Sequence, residues 1–130
     1  MVNDPIGDFI ARFRNAAAVK EASLEIPYSR FVETVAGVLK ETGYLSQVKK
    51  FKEGSRIKLH LDLAYGENQQ PLFNRIDHLS KPGRRIYRGS DQLRKLSREG
   101  VVIVSTSRGV LSGKEAHRKS LGGEVLCILK

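Results

Sequence analysis

The sequence predicts an α+β chain of two small α/β modules: N-terminal helices packed on a three-stranded antiparallel sheet, then a small β-rich C-terminal module with a short helix. Three observations predict it. Apolar residues recur at helical spacing as far as Leu39, strict alternation takes over from Arg56 to Leu63, and two unalternating apolar runs close the chain at Val101–Val104 and Glu124–Leu129. Between the halves, Ser80-Lys81-Pro82-Gly83 joins a proline-glycine turn to the start of a basic run, which places the module boundary there and gives modules 1–79 and 80–130.

Asp4-Pro5 reads as an N-cap followed by proline at the first helical position, where a missing N–H costs nothing. Ile6, Phe9, Ile10 and Phe13 then form one apolar face, with Arg12, Arg14 and Asn15 away from it. Ser23–Ile26 is a short strand ended by Pro27, and Ser29 caps a second helix whose apolar side is Phe31, Val35, Val38 and Leu39 and whose end is Gly43. A hairpin follows: Val48–Phe51, a Glu53-Gly54-Ser55 turn, and a strand in which Ile57, Leu59, Leu61 and Leu63 alternate with Arg56, Lys58, His60 and Asp62. A third strand near Leu72–Leu79 completes the first sheet.

The second half opens with the basic strand Arg84–Arg88 and a helical turn from Asp91 to Leu96. Val101–Val104 lacks alternation, so both faces of that strand are covered. Ser105–Gly109 leaves it as a loop. Ser112 with Glu115 three residues on fits a capping box opening a helix through about Ser120, which Gly122-Gly123 ends. The terminal run pairs beside Val101–Val104, which brings the loops 105–109 and 121–124 near one another.

Charge narrows the function. Lys and Arg number 23 against 14 Asp and Glu, a net charge of +9 on a chain that is 40% apolar, so the positive field belongs to a folded surface suited to polyanions. No apolar stretch approaches the roughly 18 residues of a membrane span, there is no basic-then-apolar secretory pattern, and the cations are scattered rather than set on one amphipathic helix. These features argue against a membrane role. Cys127 is the only cysteine, so no intrachain disulfide forms and a reducing, intracellular setting is expected.

The most distinctive segment is Ser105-Thr106-Ser107-Arg108-Gly109, three hydroxyls, a cation and a glycine directly after a rigid strand. Hydroxyls donate to phosphate and accept from base amino groups or ribose 2′-OH, Arg forks onto phosphate or guanine, and glycine permits close backbone approach. The competing reading is a plain polar turn. Lys81, Arg84, Arg85 and Arg88 with Tyr87 among them supply phosphate contacts and a stacking ring, against the alternative of a solvated edge strand with Tyr87 half in the core. Arg94, Lys95, Arg98, Lys114, Arg118 and Lys119 add charge to the same half.

Catalytic patterns are weak. His60, His78 and His117 lack HExxH spacing, no zinc or nucleotide-loop motif occurs, and Ser105 and Ser107 lack the G-x-S-x-G elbow, so a small serine-dependent hydrolase is the competing enzyme reading and no cofactor, metal or small-molecule substrate is expected. Cys127, in an apolar run, reads as a buried thiol.

These motifs, taken in order, resemble the bacterial-type eighth protein family of the small ribosomal subunit over nearly the whole chain. Asp4-Pro5-Ile6 with Arg12, Arg14 and Asn15 looks like that family's opening helix, Ser80–Gly83 with Arg85-Ile86-Tyr87 like its central turn, Val104–Gly109 like its signature and Gly122-Gly123-Glu124 with Cys127 like its ending. Arg108 stands where lysine is usual, Leu111-Ser112-Gly113 where a threonine-aspartate pair is, and Ile128-Leu129-Lys130 replaces an aromatic ending. The resemblance implies a structural protein, not an enzyme, that binds the central domain of small-subunit ribosomal RNA during assembly and recognises an irregular helix. Ser105, Thr106 and Ser107 would read that helix, and Gly122, Gly123 and Glu124 would line the neighbouring loop. It further implies neighbouring small-subunit proteins as partners, cytoplasmic or organelle ribosomes as the location, and an alternative role as a translational repressor binding its own operon messenger RNA.

Overall fold

The computed structural model describes residues 4–130. Contacts within the chain gather it into two units, one of Asp8–Leu72 and one of Phe73–Lys130 together with residues 4–7.

Helix α1 (Pro5–Ala18) starts as its sequence requires: the Asp4 carboxylate accepts from the Gly7 N–H at 3.0 Å, with Pro5 at the first helical position. Ile6, Phe9, Ile10, Phe13, Ala16 and Ala17 are buried, and the Phe9 and Phe13 rings stack 6.0 Å apart. Strand β1 (Ser23–Pro27) leads to α2 (Arg30–Glu41), where the Ser29 hydroxyl accepts from the Val32 N–H and Gly43 takes φ 94 beyond the last turn. The buried face of α2 is Val32, Val35, Ala36, Val38 and Leu39, and Phe31 lies 39% exposed. Phe31 was expected in that stripe; the stripe centres on Val32, Val35, Ala36 and Leu39, about 100° round from position 31.

Strands β2 (Leu45–Glu53) and β3 (Arg56–Leu63) form the expected hairpin, and the three-stranded sheet runs β1-β3-β2, all antiparallel. Leu59, Leu61 and Leu63 face inward, and Ile57, beside the turn, is 43% exposed. The third strand is therefore β1. The segment expected to fill that place contains β4 (Ile76–His78), which pairs with the C-terminal strand of the other sheet, Ile76 opposite Leu129. Both edges of β3 are occupied by β1 and β2, and the chain after Pro71 is tied to the terminus by Asn74 and Arg75 N–H groups donating to the Lys130 carbonyl. The division between units thus falls at Leu72, ahead of the Ser80–Gly83 turn that the sequence marks.

The second unit is a five-stranded sheet: β4, β5 (Tyr87–Arg88), β6 (Val101–Thr106), β7 (Gly109–Ser112) and β8 (Gly123–Leu129), with α3 (Ser90–Leu96) and α4 (Gly113–Arg118). Its order is β4-β8-β6-β7, and β5 joins β8 beyond β4. Val102, Val104, Val125 and Ile128 pack with Leu93 of α3 and Ala116 of α4. Ile103, Cys127 and Leu129 are buried as well, so the strand interiors are covered on both faces, as their unbroken apolar runs require.

Three local expectations change. Ser105–Gly109 is a hairpin rather than a loop: Ser105 and Thr106 continue β6, Ser107-Arg108 make the turn, and Gly109 at φ 102 starts β7. Alternation in so short a strand as Gly109–Ser112 leaves too little periodic signal to identify it. Helix α4 begins on Ser112, whose hydroxyl accepts from the Glu115 N–H, but Glu115 turns to Arg118 and Lys119 instead of completing the box. Ser120, at φ 57, ends the helix with Leu121 N–H donating to the Ala116 carbonyl. Gly122-Gly123 serves another purpose.

Candidate nucleic-acid interface

The antiparallel registers set Tyr87 opposite Glu124, Glu124 opposite Ser105, and Ser105 opposite Val110, a single row across β5, β8, β6 and β7. Directly opposed residues of antiparallel strands project from the same face. Val104 and Val125, the neighbours of Ser105 and Glu124, are in the cluster under α3 and α4, so the row points away from those helices. The segments 105–109 and 121–124 expected to converge do so.

The two glycines make this convergence possible. A Cβ on Gly123 would lie 2.2 Å from the Ser105 carbonyl oxygen, and one on Gly122 would lie 2.7 Å from that of Arg88. Only a residue without a side chain lets β8 enter between β6 and the 88–89 backbone this closely.

The three hydroxyls differ in what they do. Thr106 Oγ1 donates to the Gly109 carbonyl at 2.7 Å and accepts from the Arg108 N–H at 3.1 Å, so it holds its own turn. Among the described residues, the Ser105 and Ser107 hydroxyls have no hydrogen-bond partner; Ser107, Arg108 and Gly109 are exposed and Ser105 is half-buried. Thr106 thus differs from Ser105 and Ser107 in having its hydroxyl engaged within the hairpin.

On the other side of the row, Tyr87 is 64% exposed, which rules out the half-core placement, and Arg88 donates to its carbonyl at 2.8 Å. Arg85 Nη1 lies 3.2 Å from Glu124 Oε2, so the one acid of the row is paired. Lys81 and Arg84 face each other across the Pro82-Gly83 turn through two backbone hydrogen bonds, and neither makes an ion pair among the described residues. Ser80, which sequence reasoning missed as a site residue, organises this segment: its hydroxyl is buried, accepts from the Ile86 N–H at 2.9 Å and bonds the Ile86 carbonyl. The Ile86 carbonyl also accepts from the Val125 N–H, fastening the basic segment to β8. A serine before Lys-Pro-Gly was the available signal.

Among the described residues no histidine hydrogen-bonds the Ser105 or Ser107 hydroxyl. The Ser–His contact present is Ser90 with His117, whose Nδ1 lies 3.2 Å from the hydroxyl and 3.1 Å from the Ser90 carbonyl, a tie between α3 and α4. His60 sits between Glu25 and Asp62. Burial pushes the Cys127 thiol up to about 12, far from a nucleophilic thiolate. Among the described residues no group of three or more His, Cys, Asp or Glu could hold a metal ion, and no helix is long and apolar enough to cross a membrane.

The sequence pattern of the ribosomal protein S8 family matches residues 4–129. The chain belongs to the ribosomal protein S8 family. Relatives named small ribosomal subunit protein uS8 include one from a Nitratiruptor species, 43% identical with 98% of each chain covered. Those from Microcystis aeruginosa, 41% identical over 98% of this chain and 97% of its own, and Solibacter usitatus, 38% identical over 98% of both, agree in length with this S8-family chain. Family membership sets aside the hydrolase reading of Ser105 and Ser107, since these relatives are named as ribosomal components.

Proposed function

We propose that this chain is a structural constituent of the small ribosomal subunit, in the cytoplasm or on organelle ribosomes, that binds the central domain of the subunit's RNA as the subunit assembles. The surface formed by β5, the start of β8 and the β6–β7 hairpin meets an irregular RNA helix. The observation that supports this best is the row Tyr87–Glu124–Ser105, with the unpartnered Ser105 and Ser107 hydroxyls beside it. An A-form major groove is too narrow for side chains, so recognition falls to shape, 2′-OH groups and bases displaced from the stack. Ser105 and Ser107 hydrogen-bond there, Thr106 keeps the hairpin tip in shape, and Gly109, Gly122 and Gly123 let the RNA or the strands approach. Tyr87 offers a stacking face, Glu124 accepts from base amino groups or 2′-OH, and Lys81, Arg84, Arg85 and Arg108 contact phosphates. Neighbouring small-subunit proteins cover other surfaces.

Chemical footprinting of small-subunit RNA with and without the protein tests this: protection confined to one irregular helix of the central domain is expected, and diffuse protection would contradict it. The chain's own operon messenger would meet the same residues if it imitated that helix, and a direct comparison of the two affinities separates the roles.

A further inference from the structure

The α3/α4 side of the C-terminal unit carries a second cationic feature, away from the row just described. Arg94, Ser97 and Arg98 of α3 and its C-cap turn, with Lys114 and His117 of α4, line a hollow of about 350 Å³. Arg94 on α3 and Arg98 in the turn that ends it thus border the same space as Lys114 and His117, three apart on α4.

The carboxylates of this unit that make ion pairs make them with other cations. Glu115 takes Arg118 and Lys119, Glu124 takes Arg85, and Asp77 and Glu99 take Lys130. Arg94, Arg98 and Lys114 are exposed and make no ion pair among the described residues, and no carboxylate lines the space. The start of α4 lies close against the end of α3, since a Cβ on Gly113 would lie 2.7 Å from Ser97 Oγ. His117 lines the space as well, its Nδ1 held 3.1 Å from the Ser90 carbonyl of α3.

From this we infer that the hollow seats a phosphate of an RNA backbone, a second contact of the C-terminal unit with the ribosomal RNA beyond the helix met by the hairpin surface. The inference rests on the RNA-binding reading above but on different residues. Three unpaired cations around an acid-free concavity of this size suit a phosphodiester, and two guanidinium groups supply fork geometry that a lone lysine cannot.

The test uses the full chain and full-length small-subunit RNA. Arg98→Ala/Lys114→Ala should lower affinity about tenfold at moderate salt and make the log–log salt slope shallower by about 1. It should also expose one backbone segment in hydroxyl-radical footprints, distinct from the segment that Ser107→Ala exposes. The charge-keeping pair Arg98→Lys/Lys114→Arg should restore most of the affinity. Unchanged affinity and slope for the double alanine variant, with Ser107→Ala still weakening binding, overturns this inference alone; both variants unchanged overturns the RNA-binding reading itself. Tight binding of inorganic phosphate without any effect on RNA affinity would make the hollow a small-anion site and overturn it. Loss of incorporation into reconstituted subunits without change in RNA affinity would point to an acidic protein neighbour and overturn it too.

Discussion

Ser105 and Glu124 stand directly opposite each other across β6 and β8, and the carbonyl of Ser105 lies where a side chain on Gly123 would have to be. The position of the hairpin beside the start of β8 therefore depends on a missing methyl group.

Gly123→Ala should consequently cost about 1–3 kcal/mol of stability, the range for forcing an extra carbon into a packed site. Urea denaturation checks it. Amide exchange should speed up at the Ser105–Glu124 pairing more than in β2 and β3; a uniform change would mean that the strain is not local.

Thr106→Val should weaken the tip by about 0.5–1.5 kcal/mol, because the Arg108 N–H and Gly109 carbonyl lose their shared hydroxyl partner, whereas Thr106→Ser keeps it. Faster exchange of the Arg108 amide in the valine variant alone is the expected signature.

His60 makes the first unit sensitive to pH. Its hydrogen bonds to the carboxylates of Glu25, at 3.2 Å, and Asp62, at 2.9 Å, raise its pKa, while Lys49 is its cross-strand neighbour on β2. A raised folded-state pKa favours the protonated ring. The stabilisation is fully present below the unfolded value of about 6.5, provided the carboxylates stay ionised, and is lost as pH rises through the folded value. Denaturation midpoints between pH 5.5 and 8.5 should fall with pH in the parent and flatten in His60→Gln. A proton titration of the His60 ring midway at or below 6.5 would contradict this.

Cys127, buried with its thiol pushed up to about 12, should stay unlabelled by a thiol reagent at pH 8 in the native protein and react fully once urea unfolds it. Labelling of the native protein at the rate of a free peptide thiol would contradict the burial.

Much of this was legible from residue order because local chemistry and tertiary packing agree. Asp4-Pro5, Ser29 and Ser112 cap the helices they announce, and the unbroken runs at 101–104 and 124–129 pair in a sheet covered on both faces. What could not be read depends on choices between equally good partners. Nothing in Ile76-Asp77-His78 says which sheet edge it will join, and β1 had already taken the free edge of β3. The glycines at 122 and 123 look like a helix stop in sequence, but Ser120 ends the helix and the glycines admit neighbouring backbones. The bond of Thr106 to its own turn, set against the free hydroxyls on either side, likewise follows from the hairpin register and not from the run of three polar residues.

The most direct test is the affinity of Ser105→Ala/Ser107→Ala for full-length small-subunit RNA, measured across a salt series. Loss of a specific hydroxyl contact should cost about 1–3 kcal/mol while leaving the salt slope unchanged, since no phosphate charge is involved. Affinity equal to the parent's at every salt concentration would contradict the claim that these two hydroxyls meet RNA.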